Sequence, residues 1–226
     1  MTLRIHSIPQ VISTVALLLC LAWLCSGGGC ATTERVKVTE NEKTWRCDKQ
    51  ADNAMKQHEY GKAISLHQRL LDKDPSNGLA LYHLGYAYGQ TGDHLREVCC
   101  YEKAVGFGFK KDHIFLNLGL AYGELDQLEN AIGAFDKALE INPGSADAHF
   151  GLALARYRGL ADTLAEEEFL KAIEIDPAHL DARLYLSMLY ADRGELQKAC
   201  EQLRNILEID PTHIRAREFL ERIERE

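Results

Sequence analysis

The chain has 226 residues, of which 46% are apolar and 27% charged, a balance that builds a core and argues against disorder of the whole. Acids outnumber bases 34 to 26, so a formal charge of −8 argues against nucleic acid as the general partner. Five prolines and 8% aromatic residues fit an all-β sandwich poorly.

No Lys, Arg, Asp or Glu occurs between Ser7 and Thr33. Within that stretch Val11 to Cys25 (VISTVALLLCLAWLC) is almost wholly apolar, with Arg4 as the one firm positive charge before it. Short n-region, apolar run and small residues form the pattern of a secretory signal. The apolar run is shorter than the ~20 residues a helix needs to cross a bilayer. Three glycines, Gly27 to Gly29, then open the chain ahead of Cys30. Gly28, Gly29 and Cys30 resemble the lipobox of a bacterial lipoprotein signal, with Gly27 standing where that family usually has Leu. The resemblance implies residues 1–29 as a signal peptide, cleavage before Cys30 and an acyl anchor on its thiol. Ala31, which is not Asp, implies an outer-membrane destination facing the periplasm. Residues 30–43 are polar and carry no helical stripe, and they read as a tether reaching up to about 45 Å at ~3.4 Å per residue.

Beyond the tether the chain repeats. Pro75, Pro143, Pro177 and Pro211 are spaced 68, 34 and 34 apart, with Phe109 where the missing proline would fall. A fixed period of this size is to be tested before any other fold. Placing each proline at position 32 divides the chain into units 44–77, 78–111, 112–145, 146–179 and 180–213. Position 8 is small throughout (Ala51, Gly85, Gly119, Ala153, Ser187), and position 20 holds Ala63, Glu97, Ala131, Ala165 and Ala199. Position 24 holds His67, Tyr101, Phe135, Phe169 and Leu203. Spacings of three and four among these positions describe helix faces. Each unit is therefore expected to be two amphipathic helices joined near position 15, where Gly92 and Gly194 sit. Asp74, Asn142, Asp176 and Asp210, each before a proline, are read as caps for the following turn.

The best unit reads Phe115-x2-Leu118-Gly119-x2-Tyr122, then Ala131-x3-Phe135, then Pro143. This resembles the tetratricopeptide repeat, and the resemblance runs over residues 44–213. It implies an all-α fold, a right-handed α-solenoid of five helix pairs. Residues 214–226 place Ile214, Ala216, Phe219, Leu220 and Ile223 on one side and are expected to form a capping helix over the last pair. Departures stand out. Gln50 and His67 occupy core positions of the first unit, and Arg156 stands where Tyr is common. Glu97 replaces a small residue and is expected either to swing outward or to loosen its unit.

In the resembled family the first helices line a concave groove. Carried over by position, that groove holds Tyr82, Tyr86, His113, Leu116, Leu120, Phe150, Leu154, Tyr157, Leu184 and Met188. Its apolar, aromatic character points to a protein or peptide partner with an apolar anchor. The carboxylate clamp of chaperone-tail-binding repeats is not expected, because Asp48 and Asp52 stand at its basic positions and Asn117 is alone. The layout also resembles the repeat lipoproteins that assist type IV pilus secretin assembly. Self-association into a homo-oligomer and service as an accessory subunit of an enzyme are the alternative roles. No catalytic or phosphate-binding motif is legible, and no cofactor or metal site is expected. His67 and His149 are read as packed histidines, Glu166-Glu167-Glu168 as a solvated face, and Cys47, Cys99, Cys100 and Cys200 as free thiols.

Overall fold

A computed structural model describes residue 45 and residues 47–225. The signal segment, Cys30 and the tether lie outside the described residues. These contain eleven helices and no strand. They are α1 (Lys49–Lys56), α2 (Tyr60–Leu71), α3 (Gly78–Gln90), α4 (His94–Gly106), α5 (Asp112–Glu124), α6 (Leu128–Ile141), α7 (Ala146–Arg158), α8 (Asp162–Ile175), α9 (Leu180–Asp192), α10 (Leu196–Ile209) and α11 (Ile214–Arg225). Each helix packs on the next, so α1 to α10 stack as five pairs and α11 closes the last. None of the described helices is long and apolar enough to cross a membrane.

The turn within each pair is made in one way. Position 15 takes a left-handed backbone in all five units, at His58, Gly92, Asp126, Leu160 and Gly194. Glycine does this without cost, whereas Leu160 accepts strain. The turns between pairs correct one expectation. Asp74, Asn142, Asp176 and Asp210 do not cap the next helix. Asn142, Asp176 and Asp210 accept from the backbone N–H two residues on, and Asp74 accepts from the Ser76 hydroxyl. The caps come three residues later: Asn77 accepts from the Ala80 N–H, Ser145 from Ala148, and the ring nitrogens of His179 and His213 from Ala182 and Ala216. Two short polar side chains are thus used in series, one to turn the chain and one to start the helix.

The position 24 side chains form the core's repeating lock. His67, Tyr101, Phe135, Phe169 and Leu203 are all buried, none more than 2% exposed. Phe135 of α6 shows the geometry best. A methyl added to Gly119 of α5 would fall 2.6 Å from its ring, and one added to Gly151 of α7 would fall 2.5 Å away. The ring is therefore wedged between the first helix of its own pair and the first helix of the next. The same placement recurs at Tyr101 against Gly85, at His67 against the His83 ring (centroids 5.3 Å apart) and at Phe169 stacked on Tyr185 at 6.4 Å.

Glu97 departs from both expected outcomes. It is 9% exposed and turned inward, and its carboxylate occupies the space left open by Gly89. His94 Nδ1 lies 2.8 Å from its Oε2. Burial pushes its pKa above the ordinary carboxylate value, and the His94 contact only partly offsets this. The closing helix also differs in one residue: Ala216 and Ile223 are buried and Phe219 and Leu220 pack on the last core, but Ile214 is 65% exposed. The turn at Phe107–Gly108 buries Phe109 between Trp45, Tyr82 and His113, an aromatic substitute for the missing proline.

Two measurements test this packing. Gly151→Val forces a branched side chain into the Phe135 ring and is expected to cost about 1–3 kcal/mol in urea unfolding. Combined with Phe135→Leu, which makes room, the loss should fall clearly short of the sum of the single losses. Glu97 has a raised folded pKa, so its contribution is best at low pH and is lost as pH rises through that value. Glu97→Gln is therefore expected to be more stable than wild type at pH 8, with the gap closing by pH 4. A constant gap across that range would be inconsistent with a buried carboxylate at this position.

Candidate functional site

Consecutive first helices α3, α5, α7 and α9 touch one another directly as well as through their partners. They make a continuous inner layer, and the residues assigned to the groove lie along it in two rows. The row at position 9 is the open one. Tyr86 is 38% exposed and Leu120 47%, while Leu154 and Met188 are half-buried. The row at position 5 lies deeper. Tyr82, Leu116 and Phe150 are half-buried, and Leu184 is 2% exposed and part of the core. Leu184 is therefore a packing residue first, touching the surface only at a shallow pocket shared with Met188, Arg215 and Phe219.

The aromatic members are held by their neighbours. The Phe150 ring sits 4.9 Å from His179 and 5.7 Å from Tyr185, centroid to centroid. Tyr82 contacts His83, Tyr101, Phe109 and His113. Its hydroxyl accepts from Asn117 Nδ2 at 3.1 Å, and burial raises its pKa. That bond occupies Asn117, and Asp48 is engaged as the cap of α1. Asn117 is thus committed, and Asp48 would meet a chain-terminal carboxylate with like charge. Tyr157 donates to Asp192 at 2.5 Å, and burial together with that carboxylate holds its pKa well above the usual phenol range. His113 is exposed beside Asp112. The face thus offers apolar edges and fixed hydroxyls, with no nucleophile–base pair among its members.

Two polar groupings were not legible in the sequence. Glu166-Glu167-Glu168 is not a solvated face. Glu168 is 5% exposed and meets His149, Arg156 and Lys171. Burial raises its pKa, but His149 and Lys171 outweigh that and leave it lowered. Arg156 therefore turns into its own pair, where the tyrosines at the same position reach back to the preceding pair, as Tyr88 does to Gln68 and Tyr122 to Glu102. Glu166 binds Tyr190 and Arg193, and only Glu167 is free to face solvent. The second grouping is Cys47, Asp52 and His83, whose ligand atoms all lie within 4.8 Å of one another. All four described cysteines are free; Cys47 and Cys99 are exposed, and Cys100 and Cys200 are buried. Burial pushes the Cys100 thiol up to about 12.

With this geometry in hand, comparison with known proteins identifies the family. A tetratricopeptide-repeat family model matches residues 114–145, and a second matches residues 49–106 and 163–214. These segments span well over half the sequence, and the chain belongs to the tetratricopeptide-repeat family. No curated protein matches it. Among solved structures, it is similar to MamA, with a TM-score of 0.69 and 24% identity over 75% of this chain and 99% of that one. It is also similar to YrrB, described as a TPR protein with an unusual peptide-binding site, at TM-score 0.65 and 26% identity over 74% of this chain and 87% of that one. Pseudomonas aeruginosa pilF shares the fold at TM-score 0.65 and 16% identity, over 74% of this chain and 76% of that one.

The two rows make opposite demands on substitution. Leu120→Asp places a charge at an exposed site and is expected to change stability by no more than about 0.5 kcal/mol. Leu184→Asp places one in the core and is expected to cost at least about 3 kcal/mol and to unfold the last pair, as read by thermal circular dichroism.

Proposed function

We propose that this chain is a lipid-tethered scaffold of the bacterial envelope that binds a protein or peptide through the inner face of its helix stack. The observation that carries the reading is the open row on the first helices. Tyr86 and Leu120 leave large apolar surface in water, one per unit and in register with Leu154 and Met188. Apolar groups left exposed in a regular row, at the spacing of adjacent helices, suit an extended or helical segment laid along them. The likeness to YrrB, a TPR protein with a peptide-binding site, supports this use of the fold. Tyr82, Leu116, Phe150 and Tyr157, half-buried and held by their neighbours, then form the floor of the site, with His113 exposed at its edge.

The envelope part of the reading rests on the sequence before the stack. Export, cleavage before Cys30, acylation of its thiol and residence at the outer membrane form one chain of reasoning from the Gly28-Gly29-Cys30 motif and Ala31. A part in type IV pilus secretin assembly is the finer form of this reading, drawn from the order of leader, tether and repeats.

The test joins two measurements on protein extracted in detergent from its own membrane. Intact mass should show a mature chain starting at Cys30 and carrying acyl groups. Affinity capture with wild type should retain specific partners that are lost with Tyr86→Asp plus Leu120→Asp, a pair chosen because both sites are exposed. A mature mass without acylation at Cys30 sinks the tether. Unchanged capture by the folded double variant sinks the binding face.

A further inference from the structure

Cys47, Asp52 and His83 come from three separate pieces of chain: the segment before α1, α1 itself and α3 of the next pair. Asp52 Oδ1 lies 3.4 Å from His83 Nδ1, and Cys47 Sγ lies 4.0 Å from the same nitrogen. A tetrahedral zinc ion with sulfur at ~2.3 Å and nitrogen or oxygen at ~2.0–2.1 Å sets the N···O separation near ~3.3 Å and S···N near ~3.6 Å. The N···O pair is already at that value. The sulfur stands a few tenths of an ångström wide of the nitrogen and within 4.8 Å of the Asp52 oxygen, and a rotation of its exposed side chain brings it in.

A second observation points to the same place. The facing oxygen of Asp52 is buried and accepts no hydrogen bond. His67, 0% exposed, has no partner for either ring nitrogen, and its ring lies 5.3 Å from that of His83. Buried polar atoms are nearly always satisfied. The unmet oxygen of Asp52 thus faces the His83 nitrogen beside an exposed thiol, and the unmet ring of His67 packs behind His83.

We propose that Cys47 Sγ, Asp52 Oδ1 and His83 Nδ1 hold a divalent transition-metal cation of the zinc type. A thiol, an imidazole and a carboxylate together select such an ion over magnesium or calcium, which take oxygen ligands. Cys47 binds as the thiolate, and its proton passes to solvent. Three protein ligands leave a fourth position for water or for a side chain of a partner. His67 forms the buried wall behind His83. The bound ion ties the segment before α1 to the first pair and to the first helix of the second.

The full chain, stripped with chelator, is titrated with zinc by calorimetry and with cobalt by absorption. One equivalent of zinc should bind with micromolar affinity or better, and cobalt should give a thiolate charge-transfer band. Cys47→Ser should abolish that band, and His83→Gln and Asp52→Asn should each weaken zinc binding at least tenfold. Cys99→Ser should do neither. Circular dichroism of each variant establishes that it is folded. Absence of stoichiometric binding to folded wild type overturns the proposal, as does equal binding by Cys47→Ser and His83→Gln, or cobalt bound without the sulfur band.

Discussion

The stack depends on one side chain per unit being wedged between two helices that belong to different pairs. Phe135 fills the gap between Gly119 and Gly151 so tightly that a single methyl on either glycine would overlap it. Because the wedge spans its own unit and the next, order passes from pair to pair through direct contact, and no unit completes its core alone. The small residues at position 8 and the large ones at position 24 are two sides of that constraint. The left-handed residue at position 15 is a third, since it returns the second helix at the angle that aims the wedge.

The inner layer follows from the same geometry. Helices locked in this way place their first members side by side, and the deeper row at position 5 is drawn into the joints between them. What stays open to solvent is the shallower row, most of all Tyr86 and Leu120. The exposed isoleucines of the second helices, Ile141, Ile175 and Ile209, recur in the same way on other elements, each preceded in sequence by a glutamate.

Much of this was readable from residues because the period repeats the same local problem five times. Positions 8, 20 and 24 each state their role through recurrence, and the all-helical solenoid follows. The pattern is silent where a residue's role depends on a neighbour distant in sequence. Asp74 and Asn77 are both plausible caps by type, and only the backbone path assigns the turn to one and the helix to the other. Glu97 looked misplaced because the room for it comes from Gly89, eight residues earlier, on the facing helix. Glu168 looked solvated because His149 and Arg156, which meet it, belong to α7. Leu184 and Leu120 occupy equivalent-looking faces, but the depth of each position is set by how adjacent pairs rotate. Cys47, Asp52 and His83 follow no ligand spacing, since their meeting depends on the joint between the first two pairs.

The wedge is not equally good at every joint. Downstream it is a phenyl ring, a phenol or a leucine, whereas the first joint is filled by His67, a polar ring with unsatisfied nitrogens, over a core of little more than alanines. A load applied to the chain from residue 45 onward would meet this joint first. The leading pair would then peel away as a unit while the four behind it held. A stack built in this way has a fuse at one end, where α1 and α2 begin it.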